Sequence, residues 1–232
     1  MTTAWREWQD SPWGRLRYAL ALANLRRHLP PWARILDVGG GDGSDAVALT
    51  SLGHDVTVVD NSPSMLEIAR SRGLECVEAS VWEMPDLGSF DVVLCHNLVQ
   101  YEPECLPAVV APLRPGGLVS VMAINRHSAP LVTAIRALDL AGAVAALDSP
   151  VARTATFDRE IRLFTYDEIV TELRGCEVLG HYGIRSVCDY IADDSLKHSA
   201  YEALEELELA LTDREPYMHT ARLFQVIAQV DS

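Results

Sequence analysis

The sequence predicts an α/β fold in which a doubly wound, mostly parallel seven-stranded sheet carries an antiparallel C-terminal strand and a helical lid insertion. Three observations lead there. From residue 34 onward, short β-branched runs alternate with helical runs long enough to cross back over a sheet, which is the pattern of parallel strands joined by helices. A glycine-rich turn, "GGGDG" at 39–43, directly follows the first of these strands. Near the C-terminus the rhythm changes, and two extended runs on either side of a helical stretch close the chain, which allows an antiparallel edge.

Taken in order, Leu16 to Leu29 has helical periodicity and stops at Pro30 and Pro31. "RILDV" (34–38) is a short apolar run, hence a buried strand, and "SDAVALTSLG" (44–53) is a helix ended by Gly53. "HDVTVVD" (54–60) is the second strand. In "SPSMLEIARSRG" (62–73) a helix takes Ser62 as its cap, Pro63 in its first turn, where a missing N–H does no harm, and Gly73 as its stop. Strands follow at "LECVEAS" (74–80) and "FDVVLCHN" (90–97), then a helix near 103–113, the turn "LRPGG" (113–117) and the strand "LVSVMAIN" (118–125). The stretch 126–164 is helical in its first half and polar around "DSPVARTATFDREIR". "TYDEIVTELRG" (165–175) is helical, "EVLGHYGIRSV" (177–187) extended, "LKHSAYEALEELELALTD" (196–213) helical, and "ARLFQVIAQV" (221–230) is the final strand.

Composition limits the function. With 232 residues, 49% hydrophobic and 22% charged, the chain has material for one sizeable core. The N-terminus has neither a basic start nor a continuous apolar run, and the most apolar helical stretch (130–147) is interrupted by Arg136 and Asp139, so a cytoplasmic protein without a membrane partner is expected. Five scattered cysteines without a C-x-x-C pair predict reduced core thiols, with neither a disulfide framework nor a metal site. A net charge of −14 weighs against a generally nucleic-acid-coating surface, because phosphate contacts need clustered Lys and Arg. Lys197 is the only lysine.

Spacing decides what the glycine turn holds. A mononucleotide loop needs G-x-x-x-x-G-K-[ST], and no lysine stands near. A dinucleotide fingerprint needs G-x-G-x-x-G before a helix end free of negative charge; here the third glycine is replaced by Ser44, and Asp42 and Asp45 flank the anion position. What remains is D-x-G-x-G-x-G, with Asp37 at the strand end and Gly39, Gly41 and Gly43 through the turn. This resembles the first motif of class I S-adenosylmethionine-dependent methyltransferases. That cofactor carries a sulfonium and an ammonium but no phosphate, so acidic neighbours attract it.

Under that resemblance Asp60, ending "VTVVD", takes the ribose hydroxyls as an acceptor-only carboxylate, and Met65 packs on the adenine. "LRPGG" is the turn that typically precedes the fifth strand. The flanks narrow the likeness. "SPWGRLRYALALANL", with Gly14 and Arg17, is similar to the first helix of the bacterial tRNA 5-carboxymethoxyuridine methyltransferases, and "GIRSVCDYIADDS" with "YEALEELELALTDREPYMHTARLFQV" resembles their C-terminal region. The resemblance implies S-adenosyl-L-methionine as cofactor, lined by Arg17, Asp37, Gly39, Gly40, Gly41, Asp60, Asn61, Met65, Ser80, Val81 and His96. It implies a tRNA partner whose modified uridine carries a carboxylate to be esterified. The pattern along the chain divides one domain into helical cap (1–33), cofactor core (34–125), a lid or an ordinary surface insertion (126–164) and substrate-side remainder (165–232).

The acceptor side stays open. Arg185 and Arg222 are candidates to grip a carboxylate in the planar two-point fashion of arginine, with ion pairs to Asp189, Asp213 or Glu215 as their structural alternative. Tyr190 is a candidate for orienting the acceptor, and His96 is either a base or a cofactor contact. Where the tRNA-modifying family carries a lysine-rich run after the fifth strand, this chain has Arg153, Arg159 and Arg162, offset by Asp148, Asp158 and Glu160. A small-molecule acceptor is the alternative.

Overall fold

The computed structural model describes residues 2–154 and 159–231. Two helices open the chain, α1 (Thr2–Asp10), which periodicity did not announce, and α2 (Pro12–Leu25). Helix α2 begins four residues earlier than the apolar pattern predicts, because Ser11 Oγ accepts from the Gly14 N–H at 3.2 Å and Pro12 follows as a first-turn proline. The core then runs β1 (Arg34–Val38), α3 (Ser44–Ser51), β2 (Asp55–Asp60), α4 (Pro63–Ser71), β3 (Glu75–Glu78), β4 (Phe90–His96), α5 (Leu106–Val110) and β5 (Leu113–Ile124).

The predicted turn "LRPGG" lies inside β5. Phe90 pairs with Leu113 and Val92 already with Leu118, so Arg114 to Gly117 form a bulge, where Pro115 needs no ladder N–H and Gly116 takes φ +70°. After β5 come α6 (Ser128–Arg136) and α7 (Leu140–Ala146), but the polar second half of the expected helical lid pairs as a hairpin, β6 (Val151–Thr154) with β7 (Arg159–Arg162). Asp158, counted above in the charge balance, lies outside the described residues.

The chain ends with α8 (Tyr166–Glu172), β8 (Cys176–Ile184), α9 (Asp194–Ser199), α10 (Tyr201–Leu211) and β9 (Leu223–Val230). The single helix predicted for 196–213 is two helices with Ala200 at the break. Sheet order is β3-β2-β1-β4-β5-β9-β8, with β9 antiparallel to both neighbours. The antiparallel strand is therefore interior, not the edge. Its sequence explains this: six consecutive residues, Leu223 to Ala228, are buried, whereas the edge strand β8 alternates in its first half.

This order places the site. Ile124, Leu223 and Ile184 stand in register, so the start of β9 lies at the edge where β1, β4, β5 and β8 end. Winding reverses between β1 and β4, and ligands of open α/β sheets sit at that crevice. Apolar layers fix the frame on both faces, with Leu36, Val93, Phe164 and Phe224 in one and Ile35, Leu49, Leu66 and Leu94 in another, each fully buried side chain contributing roughly 1.5–3 kcal/mol. All five cysteines are free thiols.

Candidate active site

The glycine turn is shaped by what crowds it. Gly39 and Gly41 adopt φ +72° and +56°, and a Cβ on Gly39 would stand 3.1 Å from the Leu98 side chain while one on Gly40 would meet Asp37 Oδ2 at 2.5 Å. Asp60 pins the turn to the end of β2: its Oδ2 accepts from Gly41 N at 2.9 Å and its Oδ1 from Ser62 N at 2.8 Å. Burial raises the Asp60 carboxyl, and the backbone N–H groups of Ser62 and Gly41 work against that rise. Each oxygen keeps a lone pair for a further donor.

Beside the turn runs a cleft lined by Gly39, Asp60, Asn61, Ser80, Val81, Leu98 and Glu102. Met65 stands at the rim, its Cε 3.7 Å from where a Gly41 Cβ would be, and Trp82 Nε1 donates to Glu102 at 2.9 Å. Predicted residues from three separate segments, at Gly39, at Asp60 and Asn61 and at Ser80 and Val81, thus meet in one groove. Leu98 and Glu102, which no motif indicated, complete it.

Beneath the turn lies Asp37, 1% exposed, with Oδ2 lacking a hydrogen-bond partner. Burial first and the like charge of Asp45 second push its carboxyl well above the ordinary range. The other two acids of the motif are neutralised inside the protein, contrary to a freely acidic loop. Asp42 pairs with Arg72 at 3.1 Å and accepts from Gln9 of α1, while Asp45 pairs with Arg17 at 2.6 Å.

Arg17, Asp45 and His96 form one buried cluster. Both carboxylate oxygens of Asp45 accept from Arg17 Nη1, and Asp45 Oδ2 stands 3.1 Å from His96 Nδ1. Burial alone would raise the Asp45 carboxyl, but Arg17 and the His96 hydrogen bond outweigh it and hold the group well below the usual range. His96 Nε2 lies 2.8 Å from Ser120 Oγ, so both ring nitrogens are engaged, and burial lowers the imidazole's basicity.

Across the same edge the two candidate arginines part company. Arg185, 6% exposed and held at φ +64°, pairs through Nε with Asp189 at 2.9 Å and donates from Nη1 to Trp13 O. It serves the predicted structural alternative. Arg222 is 26% exposed along its side chain, reaches Asp189 only at 3.9 Å and gives Nη1 to Ser128 Oγ at 3.3 Å. Tyr190 donates its hydroxyl to Thr220 O; burial, then Asp189, pushes that hydroxyl up to about 12. The turn beneath, Ser186 to Cys188, gives three backbone N–H groups to the buried Glu208 carboxylate. Asn125 is spent on the carbonyls of His219 and Ala221.

The residues fit S-adenosylmethionine on the structure's own terms. An orphaned buried carboxylate oxygen suits a cation, the cradle over Gly39 and Gly40 admits no side chain, and acceptor-only Asp60 faces the cleft where hydroxyls would dock. Residues 35–117 match the family described as a methyltransferase domain. The sheet order is that of the class I methyltransferase fold, and the matched domain marks the chain as an S-adenosylmethionine-dependent methyltransferase, an enzyme. It is similar to the tRNA 5-carboxymethoxyuridine methyltransferase of Escherichia coli O157:H7, 29% identical over 93% of this chain and 88% of that one. It is also similar to a ubiquinone biosynthesis O-methyltransferase of Xanthomonas campestris pv. campestris, 35% identical over 52% of this chain and 53% of that one. The fold is shared with a structure from Thermotoga maritima described as a possible histamine N-methyltransferase, with TM-score 0.68 and 19% identity over 100% of this chain and 96% of that one.

Proposed function

We propose that this enzyme methylates a carboxylate to a methyl ester, and that the carboxylate is the carboxymethoxy group of a modified tRNA uridine. One observation carries the carboxylate: His96 and Tyr190, the groups that would deprotonate a neutral hydroxyl or amine, are spent on internal hydrogen bonds, while Arg222 keeps its guanidinium only weakly committed. A carboxylate of pKa roughly 4 is ionised at neutral pH and needs no base. The tRNA assignment is supported by the similarity to the E. coli enzyme over 93% of this chain.

Bound in the cleft, the cofactor supplies an electrophilic methyl. Asp60 holds the hydroxyl-bearing end, the turn at Gly39–Gly41 lets backbone approach closely, and Asp37 places negative charge beneath the cation. Arg17, clamped by Asp45, would hold the cofactor's amino-acid end. Arg222 would orient the acceptor oxygen in line with the methyl, and positioning of this kind can lower the barrier of such a displacement by about 7–11 kcal/mol.

The acidic net charge and the partial similarity to a ubiquinone O-methyltransferase favour a second reading, a small-molecule acceptor. Incubation with methyl-labelled cofactor and, separately, bulk tRNA and a metabolite extract decides between them. Label on tRNA that mild base releases as methanol is the expected result; base-stable label on a small amine would reject ester formation.

A further inference from the structure

A line of buried polar side chains runs across one face of the sheet to His96. Asn24 of α2, Ser120 of β5, Thr212 beyond α10 and Gln225 of β9 are all 0% exposed. Thr212 Oγ1 donates to Gly183 O at 2.8 Å and accepts from Asn24 Nδ2 at 3.0 Å. Asn24 Nδ2 also reaches Gln225 Oε1 at 3.4 Å, and Gln225 Nε2 donates to Ala21 O at 3.3 Å and to Ser120 Oγ at 2.9 Å. Ser120 Oγ then meets His96 Nε2.

Next to His96 the protons of this line are assigned by their partners. The Ala21 carbonyl only accepts, so the Gln225 amide must present nitrogen to it and therefore nitrogen to Ser120 as well. Ser120 Oγ accepts that hydrogen, which leaves its own proton for His96 Nε2. On the other side of the ring an ionised Asp45 carboxylate can only accept, so Nδ1 carries the hydrogen. A ring protonated on both nitrogens would turn Nε2 into a donor against the Ser120 hydroxyl and strand that hydroxyl's proton.

We propose that Ser120 and Gln225 are positioning residues for the cofactor site: they hold His96 as the neutral Nδ1–H tautomer, whose hydrogen bond aligns Asp45 and, through it, Arg17. The inference rests on the reading that Arg17 faces the cofactor. It assigns His96 the role of an internal prop instead of a base, and it gives two strand residues with no motif of their own a part in cofactor affinity.

Long-range nitrogen–proton NMR of the 15N-labelled chain tests it, with the His96 signals identified by their loss in His96→Gln. The wild type is expected to show a bare Nε2 and a protonated Nδ1, with no titration of His96 between pH 5.5 and 8. Ser120→Ala should mix the tautomers and weaken S-adenosylmethionine about ten-fold, as expected for one or two hydrogen bonds, while Ser120→Thr keeps the hydroxyl and restores both. A protonated Nε2 in the wild type overturns the proposal, as does a Ser120→Ala variant with unchanged tautomer or unchanged affinity. If Ser120→Ala loses affinity but Arg17→Ala does not, the reading that Arg17 faces the cofactor falls, and with it the positioning role.

Discussion

Arg17 and Asp45 lie 28 positions apart in sequence, yet Arg17 Nη1 stands 2.7 and 2.6 Å from the two carboxylate oxygens of Asp45, joining α2 to the first turn of α3 beside the glycine turn. The pair is nearly sealed from water, with side-chain exposures of 5% and 14%. Removing one partner leaves a buried charge unmatched, which costs about 3–5 kcal/mol. Asp45→Ala is therefore expected to lower the unfolding free energy by that amount and to weaken cofactor binding, read by denaturant titration and calorimetry. Unchanged cofactor affinity in a folded variant would remove Arg17 from the site.

Much of the cofactor half was legible because its signals are local. Three alternating glycines, a strand-end aspartate and a cap-plus-proline helix start each lie within a few residues; the structure sets Gly39 and Asp60 on one cleft, ties Gly41 to Asp60 and buries Asp37 beneath Gly40. The props were not legible. Ser120 and Gln225 read as ordinary members of apolar strands, and their partners lie 24 and 105 positions away. The β6–β7 hairpin was missed for a related reason: a polar two-stranded ribbon on the surface has no apolar alternation to announce it.

Asp60 answers for two backbone donors as well as the cleft. Asp60→Ala leaves Gly41 N and Ser62 N without their acceptors, at about 1–3 kcal/mol each where they are buried, and removes the docking carboxylate. The expected outcome is a cofactor dissociation constant raised by at least about 100-fold, with Asp60→Asn intermediate because its amide retains one acceptor oxygen. Calorimetry checks it, and equal affinity in Asp60→Asn and wild type would contradict the carboxylate's role.

Asp37 should give up its proton when the cofactor binds. Its carboxyl is raised by burial and by Asp45, and a cation beside it favours the ionised form and lowers it. Protons are then released, and the binding heat should be more exothermic in Tris than in phosphate, because Tris takes up protons exothermically. Asp37→Asn should abolish the buffer difference. S-adenosylhomocysteine, which lacks the sulfonium, should show a smaller one.

Arg185 and Arg222 look equivalent in sequence and are expected to behave differently. Arg185→Ala breaks the buried contacts to Asp189 and Trp13 O, and its main effect should be on stability. Arg222→Ala should lower acceptor methylation by about 100-fold while leaving cofactor affinity within about two-fold, the split expected of a group that meets only the acceptor. Arg222→Lys should restore little, since an ammonium lacks the planar two-point grip. Parallel loss of methylation and cofactor affinity in Arg222→Ala would overturn the assignment.

A last prediction concerns pH and involves no active-site group. His181 of β8 stacks on Tyr166 at 4.1 Å, meets Phe224 edge-on at 5.9 Å and faces His219 at 5.6 Å. Burial, then the charge of His219, lowers its imidazole from 6.5 to about 4, against the pull of Asp167 and Glu215. In the unfolded chain the group protonates near 6.5, so between there and about 4 the unfolded state binds more protons than the folded one. Stability from this site is complete above pH 6.5 and declines as pH falls toward 4. Asp37, whose folded carboxyl is raised, contributes with the opposite sign, so the wild-type curve alone mixes the two. The difference between wild type and His181→Phe isolates the histidine, because phenylalanine keeps the ring contacts and has nothing to protonate. Thermal unfolding across pH 4–7 is expected to show the variant losing less melting temperature on acidification than the wild type; parallel curves would mean that His181 is solvated well enough to protonate in place.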